Sequence, residues 1–238
     1  MNNPLTHIYN ACDPYKPATA EYYLDCSEAR GSSALTKKFQ RHLAQTREGD
    51  YLRFLFSGHI GCGKSSELEQ LKRALSHPTP PHARYFPVLL NVFDYLDEYD
   101  VDTTDILLAI VTEVAATLRE EIKVELKDNY FVKRINEITE FFLSDIEIKE
   151  GELSLWKAKL KIQRLKRDPI ARQKVRVALA PKMFTMLEEI NTVFDEARLA
   201  VKKAGQPPYT DLVLILDNLE KLQRFAGKEE GLASQREL

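Results

Sequence analysis

The sequence predicts an α/β fold, a three-layer sandwich with helices on both faces of a parallel sheet, and three observations carry that expectation. Three short apolar runs, Tyr51–Phe56, Tyr85–Phe93 and Leu212–Leu216, have the composition of strands covered on both faces. Helical periodicities lie between them, as crossovers between parallel strands require. The first run leads straight into a glycine-rich turn, Ser57-Gly-His-Ile-Gly-Cys-Gly-Lys-Ser-Ser66, and a helical apolar pattern begins inside that turn.

Residues 1–50 read as a Pro- and Tyr-rich lead followed by a linker helix from Ser33, where Leu35, Phe39 and Leu43 recur at helical spacing. Residues 51–238 read as the sheet-bearing core. After the first strand and the glycine turn, Leu68, Leu71 and Leu75 mark a helix that His77 to Pro81 ends. Tyr85–Phe93 is the second strand. An acidic loop, Asp94–Asp102, then leads to a helix carrying Ile106, Leu107, Ile110, Val114 and Leu118, with Thr103 or Thr104 as its cap.

From about residue 120 to about residue 205 an insertion interrupts the strand–helix alternation between strands two and three. Phe131–Phe142 is helical in pattern, and Ile146–Leu155 alternates around a Glu-Gly turn like a hairpin. Trp156, Ala158, Leu160 and Ile162 then share one face of an extended stretch, with Lys157, Lys159 and Lys161 on the other. Asp168-Pro169 opens a helix, since proline suits the first helical position. A further helix, with Met186, Leu187, Ile190, Val193 and Ala197 on one stripe, runs to a stop at Gly205. Leu212–Leu216 is the third strand and ends in Asp217-Asn-Leu-Glu220.

With 44% apolar and 29% charged residues, a chain of 238 residues can bury a sizeable core, which excludes disordered and fibrous classes. Thirty-four basic against thirty-six acidic side chains leave a formal charge of -2, which by itself demands neither nucleic acid nor an anionic membrane. From Lys157 to Arg176, nine basic residues accompany one acid. That run fits a nucleic-acid or partner surface, but a solvated face that discourages edge pairing is the simpler expectation. No apolar stretch approaches the ~20 residues needed to span a bilayer. Met1 to His7 lacks the basic lead and apolar run of a secretory signal. The three cysteines, Cys12, Cys26 and Cys62, have no metal spacing and read as the reduced thiols of a cytoplasmic protein.

The chemistry concentrates in the glycine turn. Gly58, Gly63, Lys64 and Ser65 satisfy G-x-x-x-x-G-K-[ST], and Gly61 gives the tighter G-x-x-G-x-G-K-S. A polyphosphate needs several backbone N–H groups converging on it, hence a loop without Cβ obstruction, and a helix N-terminus adds its positive end. The cradle is therefore expected from Gly58, His59, Ile60, Gly61, Cys62, Gly63, Lys64, Ser65 and Ser66. Lys64 would reach the β and γ phosphate oxygens, and the Ser65 hydroxyl would ligate Mg²⁺. Asp217, at the C-terminal end of the third strand, is the carboxylate expected on the same metal. Hydrolysis also needs a group that orients or deprotonates water. Asn218 stands where many ATPases place Glu, so the nearest acid, Glu220, is the catalytic candidate beside Lys64; its bland alternative is a solvated acid next to Lys221.

Ser57 to Leu68, together with Leu214-Ile-Leu-Asp-Asn-Leu-Glu-Lys221, resembles the bacterial AAA-like and STAND-like P-loop ATPases, whose third strand often ends in Asp-x-x-Asp or Asp-x-x-Glu. Asp94–Asp105 and Val175–Pro181 are also similar to those proteins. The resemblance implies a P-loop NTPase sandwich, ATP and Mg²⁺ as cofactors, an ATP-driven switch or motor, and a homo-oligomer or partner protein. It also implies Arg30-Gly31 as a wall for the adenine. The absence of an Asn-Lys-x-Asp guanine reader favours ATP over GTP.

That family orders its strands 5-1-4-3-2, and only the 21 residues 218–238 follow Asp217. Strands four and five, the sensor residue and the arginine finger are therefore expected to be missing, making the chain an N-terminal fragment that is inactive alone. Two alternatives stay open. One is a nucleotide switch that does not hydrolyse, on account of Asn218. The other is a small-molecule or nucleoside kinase, with Asp94 as the acid after strand two and Arg164, Arg167 and Arg172 as a lid.

Overall fold

The computed structural model describes residues 9, 13, 16–29, 35–46, 51–124 and 162–222. The hairpin expected over Ile146–Leu155, the lysine face at 157–161, Trp156, Cys12 and the Arg30-Gly31 pair lie outside the described residues. Two compact units form, one from Met1–Leu89 with Arg198–Asp217, the other from Leu90–Ala197 with Asn218–Leu238.

The first unit is built around the helix that follows the glycine turn. Helices α1, Leu35–Gln45, and α2, Lys64–Ser76, pack on each other, and α2 also packs on strand β2, Leu212–Asp217. Leu68, Leu71 and Leu75 fall on one face of α2 and are buried with Ile215, flanked by Leu35, Phe39 and Leu43 of α1 and by Val213. Each such leucine contributes about 1.5–3 kcal/mol by leaving water, so this stripe fixes the helix that carries Lys64 against the strand that carries Asp217. At its other end α2 is tied down by the amide of Tyr85, which donates to the carbonyl of Leu75 at 3.0 Å. Arg84 adds bonds from Nε to the Ser76 carbonyl at 2.9 Å and from Nη2 to the Tyr209 hydroxyl at 2.8 Å.

Strand β1, Phe86–Asn91, pairs with β2 in a two-stranded parallel sheet. Phe86, Val88 and Leu90 are buried, as the near-continuous apolar run required. The strand expected at 51–56 does not form: these residues join no ladder and are exposed, Leu55 at 94%. An apolar run becomes a strand only beside a strand that accepts its backbone bonds, and the described sheet has two members. Its aromatic side chains settle elsewhere. The ring of Phe54 lies 4.5 Å from that of Phe39 and 5.2 Å from that of His42.

The described residues of the second unit are mainly helical. Helix α3, Thr103–Ile122, is capped by Asp102 rather than by Thr103 or Thr104. The Asp102 side chain accepts from the Thr104 amide at 3.0 Å while Asp105 accepts from the Asp102 amide at 2.9 Å, a reciprocal box that satisfies two donors at once. Val111, Val114 and Leu118 are fully buried, and α3 packs on α4, Pro169–Leu179. Asp168 caps α4 by accepting from the Ala171 amide at 2.9 Å, with Pro169 at the first helical position. Helix α5, Met183–Lys203, buries Met186, Ile190, Val193, Ala197 and Val201. Leu187, expected on that stripe, is 41% exposed, because it sits one position off the four-residue repeat of the buried set. The helix ends before Gly205, whose φ of 81° is open to glycine.

Candidate functional site

The glycine turn runs directly into α2, and within it the Cys62 amide donates to the His59 carbonyl at 3.3 Å. Gly61 and Gly63 both have positive φ, 80° and 86°. Gly63 is the N-cap of α2, and the first helical bond runs from the Glu67 amide to the Gly63 carbonyl at 3.0 Å. The amides of the first turn are thereby aimed out of the helix end towards residues 58–63. A Cβ on Gly58 would come within 2.9 Å of the Cys62 sulfur, the end of an exposed side chain that can turn aside. His59, Ile60 and Cys62 are exposed, with Ile60 at 81%.

Lys64 folds back over this loop. Its Nζ donates to the carbonyls of Gly58 at 3.0 Å and His59 at 3.1 Å, both solvent-exposed bonds. Ser65 follows it in the first turn and is half-buried. Ser66 is engaged elsewhere, its Oγ accepting from the amide of Ala18 at 2.8 Å. Glu67, 7% exposed, accepts from the Tyr23 hydroxyl at 3.0 Å. These two links bring the lead against the first turn of α2, a role that the sequence left unread in residues 16–29. Asp217 is buried at the C-terminal end of β2, 8% exposed, in the same unit as the loop. Glu220 is exposed in the short 3-10 turn Leu219–Lys221 of the other unit. Before it, Asn218 takes a left-handed φ of 66° and donates from Nδ2 to Asn91 Oδ1 at 3.1 Å. Among the described residues no group of three or more His, Cys, Asp and Glu gathers as a metal site.

The basic run is not the uniformly solvated face expected of it. Arg164, Arg167 and Lys174 are exposed, but Arg172 is 3% exposed and its guanidinium is saturated. Nε and Nη2 donate to Asp100 Oδ2 at 2.9 and 2.6 Å, Nη2 reaches Asp97 at 3.3 Å, and Nη1 donates to the Leu165 and Lys166 carbonyls. Arg176 joins Asp100 at 2.7 Å and also Asp105, and Lys166 donates to the Phe93 carbonyl. Arg172 is therefore no lid arginine. The acidic loop Asp94–Asp102 and the basic helix α4 are the two halves of one internal ion-pair cluster.

Electrostatics follow the packing. Burial acts to raise the Asp100 carboxyl, but hydrogen bonds from Arg176 and Arg172 outweigh it and hold Asp100 below its ordinary 3.8. Burial pushes Asp105 up, only partly offset by Arg176 and the Asp102 amide. In the first unit, burial works to raise Asp211 and the Arg198 fork, at 2.7 and 2.8 Å, more than reverses it.

No helix of the described residues is long and apolar enough to cross a membrane. No protein-family model, curated protein or solved structure matches the chain. The functional reading rests on the residues alone.

Proposed function

We propose that the chain binds ATP with Mg²⁺ on the loop 57–66 and acts as an ATP-driven switch, with hydrolysis as its turnover step. The observation that carries this reading is the hand-over at Gly63: two left-handed glycines and a helix starting on Lys64 with Ser65 and Ser66 behind it. Such a turn stabilises converging negative charge with backbone dipoles and one mobile ammonium. The donor set fits a polyphosphate. Lys64 would exchange two carbonyl bonds for phosphate oxygens, Ser65 would place its hydroxyl on the metal, and Asp217 would face that metal from the end of β2. The bound nucleotide supplies a phosphoanhydride whose cleavage drives the switch. Turnover is assigned to Glu220, the first acid after Asp217 in the sequence, as the group that orients water.

Nucleotide titration of the wild type and of Asp217→Asn, with Mg²⁺ and in EDTA, tests this. Affinity in EDTA is expected to survive in the variant, and the gain on adding Mg²⁺ to be lost. An equal loss with and without metal would assign Asp217 to the fold of β2. Phosphate release before and after Glu220→Gln separates turnover from occupancy alone.

A further inference from the structure

The first turn of α2 is held from outside the loop by two bonds of long sequence separation. The Ala18 amide donates to Ser66 Oγ at 2.8 Å, and the Tyr23 hydroxyl donates to Glu67 Oε2 at 3.0 Å. Ala18 and Tyr23 are partly buried, whereas Pro17, Thr19, Tyr22 and Leu24 beside them are exposed, Leu24 at 77%. The described residues 16–29 contribute no side chain to the buried core. A segment held by polar points, with little apolar burial, opens at a lower free energy than the core beneath it.

We propose that residues 16–29 form a strap that positions the first turn of α2, so that strap docking and triphosphate binding reinforce each other. This rests on the nucleotide reading above. Ser66 and Glu67 belong to the turn whose amides face the loop, so whatever fixes those two residues fixes the direction of the donors. Glu67 carries the second half of the argument. Its carboxylate is buried within one turn of the expected phosphates, and the Tyr23 hydroxyl gives its charge a partner on the side of the strap. Releasing the strap takes that hydrogen bond away from the first turn of α2. Coupling of this kind is reciprocal: the factor by which the docked strap tightens nucleotide is the factor by which nucleotide tightens the strap.

The test pairs hydrogen exchange with binding on the full chain. In the wild type, saturating MgATP should slow exchange of the amides over residues 16–29, that of Ala18 included. Tyr23→Phe, which deletes one hydroxyl and keeps the ring, should weaken MgATP on the order of fivefold to tenfold and blunt the nucleotide-dependent protection by a similar factor. Phe184→Ala, at an exposed side chain of α5, should change neither. Unaltered strap exchange in the wild type on MgATP binding, or wild-type affinity in Tyr23→Phe, overturns the coupling while leaving the nucleotide site standing. A wild type that binds no MgATP removes the nucleotide reading, and the coupling goes with it.

Discussion

The glycine loop of one unit and the arginine–aspartate cluster of the other both gather charge, and they hold it in opposite ways. Lys64 spends its ammonium on two exposed carbonyls of its own loop, bonds that water or a ligand oxygen can replace at a net cost of about 0.5–1.5 kcal/mol each. Arg172 is buried, and all three of its nitrogens have oxygen partners. Taking it out of that setting would strand carboxylates and carbonyls together. The difference separates a charge that can change partners from one that holds a structure together. It also explains why a conspicuous basic run is the poorer functional signal of the two. Its central arginines complete an internal network, while a single lysine on an exposed loop remains exchangeable.

The sharpest way to break this comparison is to remove Arg172. Arg172→Ala should lower the stability of the protein by about 3–5 kcal/mol in urea unfolding, because Asp97, Asp100 and two carbonyls lose a shared donor. The folded variant should bind nucleotide as the wild type does. A stability loss below about 1 kcal/mol would place the cluster among ordinary surface ion pairs.

A smaller effect follows from pH. Asp100 has a lower pKa folded than unfolded, so its stabilisation is full above the ordinary value of 3.8 and is lost as pH falls through the folded value. Asp211 has the same sign. Asp105 has the opposite one: its raised pKa favours folding most below 3.8 and opposes part of the acid loss. Urea midpoints measured from pH 6 downwards should therefore fall most steeply below pH 3.8, and Asp100→Asn should flatten that fall while starting from a lower plateau. A variant with the same acid limb as the wild type would move the titration to other carboxylates.

Local signals in the sequence were legible where one residue type has one physical use. Asp168-Pro169 opened α4, Gly205 followed the end of α5, and Leu68, Leu71 and Leu75 set the buried face of α2. Periodicity could not place what depends on partners far along the chain. Tyr51–Phe56 has a strand's composition, but pairing is a property of two segments, and here the Phe54 ring packs on α1 instead. The acidic loop and the basic helix were each visible as charge patterns. Their union needed the fold to bring Asp100 to Arg172 across 72 residues of sequence. The links from Ala18 and Tyr23 to α2 carried no pattern at all, since an amide and one hydroxyl leave no periodic trace.

The central claim is that Lys64 holds an exchangeable charge on a phosphate cradle, and calorimetric titration of MgATP into the wild type and into Lys64→Ala tests it most directly. The account predicts saturable binding by the wild type and at least tenfold weaker binding, or none, by the variant, since a charge-assisted contact to the β and γ oxygens is lost. Unfolding free energies should differ by no more than about 0.5 kcal/mol, as for a partly buried side chain outside the core. A folded Lys64→Ala protein that binds MgATP as tightly as the wild type would contradict the account.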